Sequence, residues 1–306
     1  KRILAVAKNP KNNVDVRPTP LDATAIDVPV QRDPRIDLSE WMTARENPFF
    51  AKVLVNRYWK HFFGRGLVEP EDDLRVTNPA THPELLNELA SSFIESGFDL
   101  KQLCRTIASS RTYQRSSFPN AHNGNDEQNF ARCHPRRLAA EVMLDAINDV
   151  AGAKNSFGRQ PVGVRAVALP DDSSNNESFF LRVFGRPQMD TACECERTSS
   201  ADLAQSLHLI NSDAMHSILA ASNGRAVRLS RETDRDDKAR VFELYLHALS
   251  RHPTGSELEV ALAHIERKKM RAASGPTSTS PDQALKEAYE DIIWVVVNTK
   301  EFLFNH

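Results

Sequence analysis

Residues 47–66, NPFFAKVLVNRYWKHFFGRG, have the pattern of one amphipathic helix with a defined beginning and end. Asn47 and Pro48 are residue types that favour the cap and the first turn of a helix. Apolar side chains then recur every four residues, at Phe50, Leu54, Tyr58 and Phe62. Gly64 favours the left-handed conformation that ends many helices. The stretch therefore predicts a helix with one face packed against the rest of the protein.

The same signals recur along the chain. Asp33 and Pro34 predict a helix that runs through Trp41. Further helices are predicted to begin at Thr81, Asp99, Ser200, Thr254 and Ser280, and helical spacing predicts two more over residues 136–150 and 238–249. In the helix after Ser200, the periodic apolar positions are Leu203, Leu207 and Ile210. We predict an all-α fold, an irregular multi-helix domain with a long central loop and at most a minor β element.

Two segments do not follow helical spacing. Residues 1–32 contain four prolines and are predicted to be an extended linker or tail from a preceding domain, so the helical domain spans 33–306. Residues 153–199 are rich in Gly, Pro, Ser, Asn and Asp, which predicts the long central loop. Within that loop, the apolar run SFFLRVFG predicts a small two-stranded element near Phe179 to Val183.

The composition excludes several functions. The 306 residues include 39 basic and 41 acidic side chains, so the basic excess of a nucleic-acid-binding protein is absent. No run of about 18 apolar residues occurs, so we expect no membrane span. The sequence contains no C-x-x-C-H haem-attachment motif, no G-x-S-x-G motif and no glycine-rich phosphate loop. We therefore expect no cofactor in this chain.

The stretch CECER, residues 193–197, is the first candidate for chemistry. Cys193 and Cys195 have C-x-C spacing, and with His208 they would suit a soft or borderline metal ion. The sequence shows no complete set of four ligands. A disulfide to Cys104 or Cys133 and reduced, buried thiols are the two alternatives.

Carboxylates lie in and beside the same stretch. The candidate catalytic residues are Asp190, Glu194, Glu196 and His208. Two carboxylates are what general acid/base hydrolysis of a glycoside requires. The alternative is an ion-pair network with Arg186 and Arg197, which are also candidate binding residues. Because charges approach a core only when paired, we predict one polar cluster that contains Arg186, Glu194, Glu196, Arg197 and His208.

The helix predicted within residues 47–66 also has polar side chains outside its apolar stripe. Asn56, Arg57 and His61 stand apart from its apolar stripe, beside Trp59. An aromatic ring with polar neighbours can stack on a sugar and hydrogen-bond to it. The alternative is structural, because such residues commonly join the end of a helix to the next loop.

Four charged residues follow near position 140. Arg136 and Arg137 precede Glu141 and Asp145, with i,i+4 spacing between Arg137 and Glu141. On a helix this spacing predicts ordinary surface ion pairs.

Seven motifs, in this order, resemble one known family. They are NPFFAKVLVNRYWKHFFGRGLVEPEDDLR, THPELL, SRTYQ, PRRLAAEVMLDAI, FGRP, CECER and LAQSLHLINS. The chain resembles, from about Pro34 to His306, the planctomycete cytochrome-c-associated proteins in their domain of unknown function 1553. The resemblance implies a piece of a large exported protein, periplasmic or at the cell surface, in which another domain precedes this one and a separate module carries any haem. Many members have Arg where this chain has Met189, so no anion-binding role is expected there.

Two classes of function remain open. The first is a noncatalytic interaction or scaffold domain, whose partner is the preceding domain of the parent chain. The second is an enzyme module that acts on polysaccharide or serves redox chemistry beside a cytochrome c. The absence of nucleophile, cofactor and metal motifs favours the first class.

Overall fold

The computed structural model describes residues 6–20, 24–29, 32–158, 160–170, 178–187, 203–274 and 280–305. Of these residues 53% are helical, and their strands form two short antiparallel pairs. The predicted all-α fold class is confirmed. The chain divides into two compact units, Lys1–His134 (unit 1) and Pro135–His306 (unit 2).

The described part of unit 1 contains a short hairpin and four helices. The strands are β1 (Ala7–Lys8) and β2 (Asp15–Val16), and the helices are α1 (Pro34–Met42), α2 (Phe50–Phe63), α3 (Pro83–Glu95) and α4 (Leu100–Ala108). Helices α2, α3 and α4 pack against one another. Their shared core includes Val55, Trp59, Leu86, Phe93, Leu103 and Ile107.

Helix α2 begins and ends at the predicted signals. The side chain of Asn47 accepts hydrogen bonds from the backbone N–H groups of Phe49 and Phe50, at 2.8 and 2.9 Å. At the other end, Gly64 has φ of 79°, a left-handed conformation that glycine adopts at low cost. Local sequence therefore fixes both ends of this helix, through a side-chain cap at the start and the backbone conformation of glycine at the end.

Two further caps of unit 1 were predicted correctly and one was wrong. Asp33 and Asp99 accept hydrogen bonds from the first turns of α1 and α4. Thr81 does not cap α3, because its hydroxyl donates to the carbonyl of Leu67 at 3.2 Å. Helix α3 begins at Pro83 instead, without a side-chain cap. A tertiary hydrogen bond has replaced the predicted local one.

Part of the proline-rich N-terminal segment packs beside α1. Val28 is buried, and a cavity of about 290 Å³ lies between this helix and preceding residues that include Thr19, Pro20 and Val28. Its apolar lining includes Pro18, Ile26 and Leu38. Helix α1 itself buries no side chain.

The described part of unit 2 contains nine helices, a 3-10 turn and two strands. They are β3 (Arg136–Arg137), α5 (Ala140–Ala151), the 3-10 turn (Ala166–Ala168), α6 (Phe179–Val183), α7 (Leu203–Asn211), α8 (Asp213–Leu219), α9 (Arg225–Arg231), α10 (Asp237–Leu249), α11 (Gly255–Ser274), α12 (Pro281–Val297), α13 (Lys300–Leu303) and β4 (Phe304–Asn305). Helix α12 packs on α9, α10 and α11, and α5 joins the same core. Strands β3 and β4 pair antiparallel, with Arg136 opposite Asn305.

The predicted starts of α11 and α12 are confirmed. Thr254 and Glu257 form a reciprocal capping box, in which each side chain accepts from the other residue's backbone N–H. The hydroxyl of Ser280 accepts from the backbone of Gln283 at 3.2 Å. These caps lie within three residues of the groups they satisfy, which is why the sequence reveals them.

Two predictions about unit 2 were wrong. The run near Phe179 is helix α6, not a strand, because the hydroxyl of Ser178 caps its first turn and Gly185 follows with φ of 80°. The helix predicted from Arg136 begins only at Ala140, because Arg136 and Arg137 pair with β4. A short apolar run fits a strand and a buried helix equally well, so its periodicity alone does not decide.

Candidate functional site

The predicted polar cluster falls partly within the described residues. Arg186 and His208 are described, whereas Asp190, Cys193, Glu194, Cys195, Glu196 and Arg197 lie outside the described residues. The site can therefore be built from Arg186, His208 and the polar side chains around them in unit 2.

Arg186 is buried and joins three segments. Its Nε lies 3.6 Å from Oε1 of Glu141 on α5, and the guanidinium donates to the carbonyl of Leu169 at 3.3 Å. Its backbone N–H donates to Leu181 on α6 at 2.9 Å. Glu141 is also buried, so this pair holds α5 against α6 and the segment before it. Removal of one partner of a buried pair leaves an uncompensated charge, which strongly destabilises the fold.

Arg137 reaches from β3 to α6 and α7. It donates to the carbonyl of Phe184 at 3.3 Å, and its guanidinium lies 5.5 Å from the centroid of that ring. It also donates to the side-chain oxygen of Gln205, whose amide in turn donates to the carbonyl of Val183 at 3.0 Å. Burial lowers the pKa of Arg137. Together these bonds fix the rotation of α7 about its axis.

His208 lies in a shell of aromatic rings. The centroid of its ring is 5.2 Å from that of Phe179, 5.5 Å from that of Phe180 and 6.2 Å from that of Phe184. Its Nε2 lies 3.4 Å from the hydroxyl of Ser212. Burial lowers the pKa of His208, which favours the neutral imidazole. Among the described residues, the structure does not join His208 to Arg186 by any hydrogen bond or ion pair.

Asp145 is a buried carboxylate whose role the sequence analysis missed. It accepts from the backbone of Ala166 at 2.7 Å and of Val167 at 3.1 Å, and from the amide of Asn155 at 2.7 Å. Its side chain is only 1% exposed. The prediction that Glu141 and Asp145 form surface pairs with Arg136 and Arg137 was wrong, because α5 starts after both arginines. The signal was present: Asp145 interrupts the apolar stretch VMLDAI, where a carboxylate requires partners.

In unit 1, the four candidate binding residues have separate environments. Asn56 is fully buried and bonds to the backbone of Val68 and Glu71 at 2.9 to 3.0 Å. Arg57 is exposed and forms a two-point ion pair with Asp72. These contacts tie α2 to the loop that follows it, as the structural alternative proposes.

The aromatic and imidazole candidates of α2 also lie apart. Trp59 is only 3% exposed, and its ring stacks on Phe63 at 4.2 Å and meets Phe130 edge-on at 5.3 Å. His61 is exposed, with its ring beside Phe62. The face of Trp59 that a sugar would need is therefore packed inside unit 1.

Residues 34–265 match the model of a family called PSD1, described as a protein of unknown function (DUF1553). This span covers more than half of the chain. The chain belongs to the PSD1 family. Neither the comparison with curated proteins nor that with solved structures gave a match. The span that carries the PSD1 match begins with α1 and ends inside α11, so it includes every candidate residue described above.

Two features are absent from the described residues of this PSD1 chain. None of its helices there is both long and apolar enough to cross a membrane. Nor do three or more His, Cys, Asp or Glu side chains gather there in a way that could hold a metal ion. The polar groups that the structure does bring together, around Arg186, Arg137 and Asp145, connect secondary-structure elements of unit 2.

Proposed function

We propose that this PSD1 chain is a noncatalytic interaction domain of a larger exported protein. The resemblance to planctomycete cytochrome-c-associated proteins supports the export and the larger parent, in which a separate module would carry haem. The proposed partner is the domain that precedes this one in the parent chain.

The main support for the proposal is the exposed apolar face of α7. Leu203, Leu207 and Ile210 are 73%, 57% and 53% exposed. They lie at positions i, i+4 and i+7, so they form one stripe on the helix. Partner helices and grooves recognise apolar side chains at this spacing.

The orientation of α7 keeps these three side chains on its exposed side. Its polar residues Gln205 and His208 face inward, where Arg137 and the rings of α6 hold them. The helix cannot turn its leucines inward without breaking those contacts. Burial of the exposed part of the three stripe residues would contribute about 4 kcal/mol to binding a partner.

Buried polar groups on α2, on α5 and just after α6 support a structural role for the rest of the described chain. Asn56, Asp145 and Arg186 each bond to backbone groups of other segments. Groups bonded in this way stabilise the fold and have little freedom to take part in turnover.

A binding measurement with two variants tests the proposal. The chain and the preceding domain of its parent are produced separately, and their affinity is measured by calorimetry. Leu207→Glu should weaken binding at least tenfold, because it places a charge in an apolar interface. Val260→Glu is the matched control, since Val260 is 69% exposed on α11, away from the stripe, and should leave the affinity unchanged.

Two results would contradict the proposal. One is equal binding by wild type and Leu207→Glu when both variants keep the wild-type circular dichroism spectrum. The other is catalytic release of sugars from a polysaccharide panel by the purified chain, which would favour the enzyme hypothesis instead.

A further inference from the structure

We propose that His208 makes the contact between α6 and α7 sensitive to acid. The contact is closed while the imidazole is neutral, and it opens when the imidazole takes up a proton. This inference goes beyond the proposed interaction, because it concerns the inward side of α7 and does not require a partner on the outer side.

The surroundings of His208 suit a neutral ring and oppose a charged one. Three phenylalanine rings of α6 and its C-terminal end surround the imidazole, and only 6% of the residue is exposed. The polar partner that the structure places beside it is the hydroxyl of Ser212, a neutral group. A protonated imidazole would lose most of its hydration here, and the described residues supply no counter-ion for it.

The charged groups on the neighbouring elements do not compensate that charge. On α6, the guanidinium of Arg182 lies over the ring of Phe179 at 5.2 Å. On β3, Arg137 bonds to Gln205, one turn before His208. On α8, Asp213 and His216 are exposed. Over the described residues no carboxylate forms an ion pair with His208, and burial is the cause that lowers its pKa.

The α6–α7 contact is also a small one, so it can open without unfolding the protein. Helix α6 is five residues long, and the buried residues of α7 are Gln205, His208 and Leu209. Phe180, Leu181, Phe184 and Leu209 belong to the same buried cluster as the residues of α12, but α6, the residue that follows it and α7 contribute only these four apolar side chains to that cluster. Elements that bury few side chains open at lower free energy than the core does. Opening would expose Phe180 and Phe184, which are buried in the closed contact.

The direction of the pH dependence follows from linkage. Burial lowers the pKa of His208 in the closed contact below its ordinary value, whereas in the open form the imidazole regains a pKa of about 6.5. Below about pH 6.5 the open form therefore binds a proton that the closed form does not. The ratio of open to closed forms should rise by up to tenfold per pH unit until the pKa of the closed form is reached. Above about pH 7.5 it should not change with pH.

Hydrogen exchange read out by mass spectrometry tests this on the whole chain. Peptides that cover Phe179–Val183 and Leu203–Asn211 are followed from about pH 7.5 to about pH 5, with rates corrected for intrinsic chemistry. In wild type, protection of both peptides should fall with acid while peptides of α12 keep theirs. His208→Gln, which cannot be protonated, should remove the change. His216→Gln removes an exposed histidine on the next helix, α8, and should leave the wild-type change intact.

Nuclear magnetic resonance gives a second, direct measurement. The pKa of the His208 imidazole in the wild-type chain should lie below about 6.5, the ordinary value of a histidine side chain. Equal protection of the two peptides at both ends of the pH range, or an unshifted or raised pKa for His208, would overturn the proposal. So would an acid response that persists in a folded His208→Gln protein.

Discussion

Replacement of Asn56 by alanine should destabilise unit 1 more than its small change in volume suggests. The side chain is completely buried in α2. Its amide donates to the carbonyls of Val68 and Glu71, both at 2.9 Å, and its oxygen accepts from the N–H of Val68 at 3.0 Å. In the alanine variant all three backbone groups lose their partner.

The magnitude follows from those three bonds. Each net hydrogen bond contributes about 1 kcal/mol, and each buried group left without a partner costs about 1–3 kcal/mol. We expect the free energy of unfolding of unit 1 to fall by about 4 kcal/mol, which is a large share of the stability of a typical domain. The loop of residues 65–72 should lose order first, because Asn56 bonds to its backbone.

Urea unfolding followed by tryptophan fluorescence measures the effect, since Trp59 is buried one turn further along α2. Arg57→Ala is the matched control on the adjacent position. Its ion pair with Asp72 is exposed, so the control should lose less than about 1 kcal/mol. If Asn56→Ala costs no more than Arg57→Ala, the bonds to the loop do not stabilise unit 1 and the reasoning fails.

Three other changes have defined outcomes. Gly66→Ala should destabilise unit 1 by about 2 kcal/mol or more in the same urea assay, because its new methyl group would collide with the carbonyl of Val68. Asp145→Ala should lower the free energy of unfolding of unit 2 by about 3 kcal/mol and increase hydrogen exchange at Ala166, and unchanged exchange there would argue against the bond. Hydrogen bonds from Arg251 lower the pKa of Glu257 from 4.5 to about 2. The stability that Glu257 contributes is therefore present above about pH 4.5 and lost as the pH falls toward about 2. Because the side chain is 32% exposed, we expect about 1 kcal/mol, and Glu257→Gln should have a weaker acid dependence in urea titrations between neutral and acid pH.

The helix ends show what the sequence makes predictable. Asp99, Thr254 and Ser280 cap groups two or three residues away, so the pattern that predicts each cap contains both partners. Thr81 has the same local pattern, yet its hydroxyl bonds to Leu67. That bond spans a loop, and a short sequence pattern carries no information about which distant carbonyl will be in reach.

Helix α7 shows the same limit for packing. Its apolar spacing correctly predicts a helix, but its apolar stripe is the exposed side. The inward side is chosen by Gln205, which bonds to Arg137 and to Val183, residues far away in the chain. Periodicity measures how a helix divides its side chains between faces, and the tertiary contacts determine which face is buried.

The candidate site was predictable in part for a related reason. The sequence predicted that Arg186 needs a charged partner, and in the structure Glu141 on α5 lies 3.6 Å from it. The sequence suggested nearer carboxylates at 190–196 because they share its loop. His208 resembled a catalytic base by residue type, whereas its aromatic neighbours come from a helix that the sequence predicted to be a strand. The neighbours of each candidate residue are determined by the tertiary fold, which a local sequence pattern does not contain.

The pairing of β3 with β4 has a consequence for the engineering of unit 2. Arg136 stands opposite Asn305, and the N–H of Leu138 donates to the carbonyl of Leu303 at 3.0 Å. The two ends of this unit therefore lie side by side, although the whole helical core separates them along the chain. A linker of a few residues is enough to join them, so the unit is suited to circular permutation at a new opening such as the exposed turn near Ser250. The same geometry would let it be inserted into a surface loop of a host protein without pulling the two halves of that loop apart.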